Sequence, residues 1–321
     1  MAEVGDRLVM GSPRRHDRAL RATVVAAASG GVAHRRDLRA AGLTRHDVAT
    51  EVAAGRWLAV GRHTVATTTG DPSREALWWR AVWESGAGAV LDGVSALQAQ
   101  GMTGFETAVI DVSMPSANRD HDVAGVRLHR RRVVGPVAGG GIPRAHPVQA
   151  TIRAAQWATS DRQAALLLCL PVQQRLVRPD DLFAAWAAVG RSPRRALLHA
   201  VVRDVCDGAQ SLGELDVGRL CRRRGIPPPS RQRLVRLPTG RVYLDVAWED
   251  IGLVVEIDGG HHLLALNTVD DALRQNEVTM GSEWVLRIPV LGLRLAPDRF
   301  LDQLLRAWRL RAAEAGDGTA V

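Results

Sequence analysis

The sequence predicts a multidomain α/β (α+β) protein, and three observations carry that expectation. The chain has 321 residues, long enough for two or three domains with a core each. Segments with apolar residues at helical spacing recur along it, punctuated by Gly and Pro. Between them lie short stretches that alternate apolar and polar residues, the clearest being 241–262, RVYLDVAWEDIGLVVEIDGGHH.

That stretch reads as two strands around a turn centred between Asp250 and Ile251. Leu244 and Val246 point to one face, Tyr243 and Asp245 to the other. On the second strand Val255 and Ile257 oppose Val254, Glu256 and Asp258. This register puts Asp245 directly across from Glu256, where Cβ atoms are roughly 4.5–5.5 Å apart and like charges repel. A hard divalent cation such as Mg²⁺, which takes carboxylate oxygens and keeps several waters, is the expected compensation.

Composition narrows the function classes. Net charge is +8, so a polyanionic partner is expected. All 42 basic residues are Arg, which removes lysine from any catalytic scheme. Cys169, Cys206 and Cys221 lack C-x-x-C spacing, which argues against zinc and against a disulfide framework. No signal-like apolar region opens the chain, and the longest apolar run, 164–170, is expected to stop at Pro171. The expectation is a soluble cytoplasmic protein with no membrane partner.

Residues 1–17 are polar and read as a mobile tail. From 18 to 67 the pattern is three short helices and a hairpin. Helices are expected over 19–28, ended by Gly30 and Gly31, and over 34–41, stopped by Gly42. Thr44 then N-caps a helix over 45–54, with Asp47 in a capping-box position. Strands over 56–60 and 63–67 flank a Gly61-Arg62 turn. This is the winged-helix plan, whose third helix lies in the DNA major groove. Arg45, His46 and Glu51 are expected on or near the exposed face of that helix, with Arg56 and Arg62 near the wing. The segment AGLTRHDVATEVAAGRWLAVGRHTVAT resembles the N-terminal winged-helix domain of abortive-infection (type IV) antitoxins. The resemblance covers about fifty residues and rests mostly on Leu, Gly and Trp positions. It implies DNA binding over use as a small protein-contact domain. A toxin and a second copy of the chain are the protein partners it leaves open.

A middle α+β module follows. Pro72, expected at N1, and Glu75 start an amphipathic helix through Trp78, Trp79 and Trp83, a stripe read as core. A helix over 91–100 and strands over 108–112 and 126–129 come next. The basic run 127–132 reads as a solvated edge strand. Residues 137–143, VAGGGIP, read as a flexible break, and four helices over 147–158, 162–170, 179–188 and 194–205 as scaffold.

The C-terminal order is a helix over 212–224, strands at 234–237 and in the 241–257 hairpin, a helix over 270–280, a strand over 284–288 and a helix over 298–309. With Asp and then Glu-x-Asp on adjacent strands, this resembles the restriction-endonuclease-like α/β core of the PD-(D/E)XK nucleases, and more closely the very-short-patch-repair-like endonuclease domains. The matching residues are Glu214, Asp245, Glu256-Ile257-Asp258-Gly259, His261 or His262, Arg274, and the strand Trp284-Val285-Leu286-Arg287. The resemblance implies that Asp245 and Glu256 hold Mg²⁺ or Mn²⁺ with the Ile257 carbonyl, and that Glu214 is a further or water-mediated ligand. It implies a proton-accepting role for His261 or His262, a catalytic position at 258, and DNA contact by Arg274. The chain departs from the wider superfamily at 258, where Asp258 stands in place of Lys.

The expected divisions are a tail over 1–17, a winged-helix domain over 18–68, a middle module over 69–136, a helical connector over 137–209, a nuclease-like domain over 210–313 and a tail over 314–321. The expected function is a DNA-binding, metal-dependent endonuclease. The alternatives are a DNA-binding regulator or antitoxin whose nuclease-like core is only scaffold, and a helical interaction protein with a basic surface.

Overall fold

The computed structural model describes residues 13–118, 122–206, 212, 215–237, 242–258, 266–279 and 284–317. Among the described residues, helices and three sheets are interspersed along the chain, a mixed α/β architecture as expected. The chain divides into two compact units, Met1–Ala99 with Glu106–His146, and Gln100–Phe105 with Pro147–Val321.

The first unit opens with helix α1 (Pro13–Ala26) and a 3-10 turn. Residues 13–17, expected in the tail, form the first turn of α1. Proline is tolerated there because the first N–H groups have no intrahelical partner, and Asp17 pairs with Arg21 one turn on. Gly30, at φ 65°, ends the segment as expected. Strand β1 (Val32–His34) follows, then helix α2 (Arg35–Ala40). His34, expected at a helix start, instead ends β1 and caps α2, its Nδ1 accepting from the Arg36 N–H at 2.9 Å.

Helix α3 (Arg45–Ala53) starts on Thr44 with the expected reciprocal capping box to Asp47. Strands β2 (Leu58–Ala59) and β3 (Thr64–Ala66) complete a sheet ordered β1-β3-β2. Ala22, Leu38, Leu43, Val48, Trp57 and Val65 are buried together beneath it.

Helix α4 (Arg74–Glu84) is capped by Ser73, so Pro72 precedes the cap rather than occupying N1. Trp79 and Trp83 pack against Val32, Ala66 and Ala76, in keeping with a core stripe. Strand β4 (Val90–Leu91) takes up the start of the next expected helix, because Asp92 supplies the cap for α5 (Gly93–Gln98). Strands β5 (Ile110–Pro115), β6 (Val126–Arg131), β7 (Val137–Ala138) and β8 (Arg144–Ala145) give a second sheet ordered β6-β5-β4-β8-β7. The basic run lies on β6, an edge of that sheet. VAGGGIP is a hairpin rather than a break: Gly140 and Gly141 turn at φ 75° and 65°, and Val137 pairs with Ala145.

In the second unit α6 (Pro147–Trp157), α7 (Asp161–Gln173), α8 (Pro179–Ala187) and α9 (Arg195–Cys206) match the four expected helices. Pro171 does not end α7, which runs through it for two more residues. Helix α10 (Val217–Arg223) is shorter than expected because Asp216 caps it, accepting from the Arg219 N–H at 2.8 Å. Then come β9 (Arg231–Arg236), β10 (Val242–Trp248), β11 (Leu253–Asp258), helix α11 (Leu266–Thr279), β12 (Val285–Pro289), and helices α12 (Val290–Leu295) and α13 (Pro297–Asp317).

The third sheet has the order β12-β11-β10-β9, antiparallel except for the parallel β11–β12 pair. A parallel neighbour needs a crossover, and α11 supplies it. Leu244, Val246, Val255, Ile257, Leu286 and Ile288 bury one face of this sheet under Val269 and Leu273 of α11 and Phe300 and Leu304 of α13. Phe300 is fully buried. Helix α12 escapes a sequence reading because its apolar residues follow β12 without a break, Pro289 serving as its first cap residue. No helix among the described residues is long and apolar enough to cross a membrane.

Candidate functional site

The turn joining β10 and β11 closes on Gly252, at φ 63°, and sets the pairing Asp245↔Glu256. Because side chains alternate, the face opposite the core carries Tyr243 and Asp245 from β10 and Val254, Glu256 and Asp258 from β11. The flanking strands extend the Asp245–Glu256 pair into a row. Asp245 pairs with Arg233 of β9, and Glu256 with Arg287 of β12. The row therefore reads Arg233, Asp245, Glu256, Arg287 across four strands. Asp258 stands one step along, opposite Tyr243 and beside Pro289.

Arginines offset the repulsion between the two carboxylates. Arg231 places a guanidinium nitrogen 3.0 Å from Asp245 Oδ2 and another 2.7 Å from Glu249 Oε1. Arg287 Nε lies 3.2 Å from Glu256 Oε2. The carboxylates are largely sheltered, with 19% and 22% of their side chains exposed, while Arg231 and Arg287 are 42% and 63% exposed. Asp258 is buried at 6%.

Arg287 is fixed from behind. Asn276 of α11, 1% exposed, accepts from the Arg287 N–H at 2.9 Å and donates to its carbonyl at 3.0 Å. Asn276 also reaches Gln303 Oε1 at 3.3 Å, and Gln303 donates to Glu277 at 2.6 Å. The Gln303 and Arg306 contacts hold the Glu277 carboxyl below its ordinary range. Sequence reasoning gave no role to Arg231, Arg233, Arg287 or Asn276. The available signal was RQRLVR, which puts Arg231 and Arg233 on one face of a strand beside the acidic hairpin.

Not every expected site residue falls on this row. Glu214, Gly259, His261 and His262 lie outside the described residues. Among the described residues no group of three or more Asp, Glu, His or Cys side chains is gathered at metal-binding distance. Arg274 is exposed on α11 and pairs with Asp271 at 3.3 Å. Helix α11 covers the apolar face of the sheet, so the structure does not bring Arg274 to the Asp245–Glu256 row.

In the first unit, Arg45 and His46 are exposed in the first turn of α3, and Arg62 is exposed between β2 and β3. Glu51, expected near the exposed face, is instead buried with 4% of its side chain accessible. Arg56 Nε lies 2.5 Å from one of its oxygens and Arg18 2.8 Å from the other. An acid can sit under this helix only when so paired. The Arg56 hydrogen bond, assisted by Arg18, depresses the Glu51 pKa, and Arg56's own is raised in return. Arg56, just ahead of β2, is thereby held against Glu51.

The β2–β3 turn is held by a residue that sequence reading passed over. Glu84, at the end of α4 and 5% exposed, accepts from the N–H groups of Arg62 at 2.9 Å and His63 at 2.8 Å, and from the Thr64 hydroxyl at 2.7 Å. A side chain at Gly61 would run into that carboxylate. His63 stacks on His34, ring centroids 5.7 Å apart, and burial followed by nearby Arg36 lowers the His34 pKa.

Comparison with models of known protein families finds none that matches the chain, and no curated protein matches it significantly.

Proposed function

We propose that this chain is a DNA-binding, divalent-cation-dependent endonuclease, with the phosphodiester-cutting site on the polar face of the β9–β12 sheet. The observation that carries this reading is the Asp245–Glu256 register, with Asp258 two residues further along β11. The order of a helix, three antiparallel strands, a crossover helix and a parallel strand supports the resemblance to PD-(D/E)XK nucleases.

The donor set fits a hard cation. Asp245 and Glu256 offer carboxylate oxygens from directly opposed positions, and such oxygens are what Mg²⁺ or Mn²⁺ selects. Asp245 and Glu256 would hold the ion with the Ile257 carbonyl, and Glu214 would add a further or water-mediated ligand. When bound, the ion would neutralise charge on the scissile phosphate and lower the pKa of a bound water. Asp258, in the superfamily's lysine position, cannot supply a cationic side chain, so proton acceptance falls to His261 or His262 in this reading.

DNA binding is assigned to the first unit as well. Its order α1, β1, α2, α3, β2, β3 with a β1-β3-β2 sheet supports a winged-helix reading. Arg45 and His46 would enter the groove on α3, with Arg62 on the wing. This assignment leaves a homodimer and a toxin as further partners.

The second reading, a regulator or antitoxin with an inactive nuclease-like core, is favoured by one observation. Arg231 and Arg287 already neutralise the two acids without a cation. Incubating the full chain with supercoiled plasmid in Mg²⁺, Mn²⁺ or EDTA separates the two. Metal-dependent nicking supports the nuclease; DNA binding with no cleavage in either metal supports the regulator.

A further inference from the structure

The row Arg233, Asp245, Glu256, Arg287 contains more than a cation site. Its two ends are arginines on the outer strands β9 and β12, and both are exposed. Among the described residues Arg233 has no acidic partner of its own. Arg287 meets Glu256 through Nε, while Asn276 pins its backbone from the core side. Three gaps of about 4.8 Å separate the outer strands, so the row spans roughly 14 Å. Guanidinium groups bind phosphate oxygens bidentately and stay charged at any working pH.

We infer that Arg233 and Arg287 hold phosphates of a DNA strand on either side of the Asp245–Glu256 pair, laying the backbone across the sheet along this row. The inference rests on the nuclease reading of the same site. The paired positions of this face carry three arginines, Arg231, Arg233 and Arg287, against three carboxylates, Asp245, Glu256 and Asp258. Arg231 is moreover shared between Asp245 and Glu249, so when no cation is present the carboxylates both occupy arginines and repel phosphate. A bound divalent ion, or removal of one carboxylate charge, leaves arginine charge available to the nucleic acid. Arg233 and Arg287 are thus positioning residues for the strand, and the acids between them restrain that binding until a cation arrives.

The test is binding of a short fluorescein-labelled DNA duplex in EDTA, where no cleavage interferes. The full chain is used in an Arg45→Gln/Arg62→Gln background, which removes the first unit's expected contacts. With Glu256→Gln added to free arginine charge without a cation, Arg233→Gln and Arg287→Gln should each weaken binding about tenfold, the loss of one charge-assisted phosphate contact. Each should lower the slope of log affinity against log salt by about one. Arg233→Lys and Arg287→Lys should restore the slope, which a merely structural role would not predict. Asp245→Asn and Glu256→Gln should move affinity the other way, tightening it several-fold.

Unchanged affinity and slope in both arginine-to-Gln variants, or binding by the carboxylate variants no tighter than in the background, would each overturn the inference. Plasmid nicking by the otherwise native chain is scored separately. Nicking that depends on Asp245 while the arginine slopes stay flat removes the phosphate row and keeps the nuclease. Arginine-dependent binding with no nicking in any metal keeps the row and removes the nuclease.

Discussion

Asp245 and Glu256 face each other across β10 and β11, and each is met from its outer side by an arginine, Arg231 at 3.0 Å and Arg287 at 3.2 Å. Two like charges at a directly opposed position destabilise a sheet by a fraction of a kcal/mol to about 1 kcal/mol. Partly exposed ion pairs recover a similar amount. The arrangement therefore costs the fold little, and an ion can be accommodated without a large rearrangement of energies.

A ligand-linked stability change follows. In EDTA, Asp245→Asn and Glu256→Gln should each change unfolding stability by less than about 1 kcal/mol, since repulsion and ion pairing are lost together. Mn²⁺ at a hundredfold excess over its dissociation constant should stabilise the native chain by about 2.7 kcal/mol. That gain should vanish in either variant. Urea unfolding with and without Mn²⁺ measures both; an equal Mn²⁺ gain in the variants would place the ion elsewhere.

Asn276 carries a separate structural prediction. Its buried side chain closes two hydrogen bonds with the Arg287 backbone and a third, fully buried, with Gln303. Asn276→Ala strands buried donors and acceptors, at about 1–3 kcal/mol for each group left unsatisfied. Urea unfolding should show a loss of at least about 2 kcal/mol, and exchange of the Arg287 amide hydrogen should accelerate.

The β2–β3 turn depends on Glu84 in the same way. Glu84→Ala leaves the buried Thr64 hydroxyl and the part-buried Arg62 and His63 N–H groups without their acceptor, a loss of about 1–3 kcal/mol. Gly61→Ala should also destabilise, since the added methyl would displace the Glu84 carboxylate. Amide exchange at residues 62 and 63 reports both; protection unchanged in Glu84→Ala would show that the turn is held by something else.

Acid should loosen the first unit through Glu51. Hydrogen bonding to Arg56, then to Arg18, depresses the Glu51 pKa in the folded state. A depressed carboxyl contributes stability that is complete above its unfolded value and is lost as pH falls through the folded one. The loss should therefore begin as pH drops below about 4.5 and continue below it. Asp47, lowered mainly by its hydrogen bonds with Thr44, adds to the same slope from about 3.8 downward. Glu51→Gln should flatten the acid limb of a stability-against-pH curve, and an unchanged limb would contradict the pairing.

The register of the acidic hairpin was legible because period-two alternation and the length of the turn leave only one pairing of Asp245. The α3 capping box was legible for a similar reason: Thr44 and Asp47 interact over three residues of chain. Glu51 was misplaced because a helical position says nothing about which distant residue, here Arg18, will neutralise a buried acid. Arg233 and Arg287 were given no role because their place beside the acids depends on β9 and β12 both joining this sheet. Glu84 was hidden for the same reason, as its partners lie more than twenty residues away, except for Thr64 at twenty. Pro171 was read as a helix stop, yet α7 runs through it with both it and Leu170 buried.

The central claim is that Asp245 and Glu256 form a cation-dependent phosphodiester-cutting site. Its most direct test is the rate of supercoiled plasmid nicking by the full chain in Mg²⁺ and in Mn²⁺, beside Asp245→Asn, Glu256→Gln and an EDTA control. The account predicts nicking by the native chain, abolished by EDTA and by either substitution while both variants still bind DNA. Nicking that persists in Asp245→Asn and Glu256→Gln, or no nicking by the native chain in either metal despite DNA binding, would contradict it.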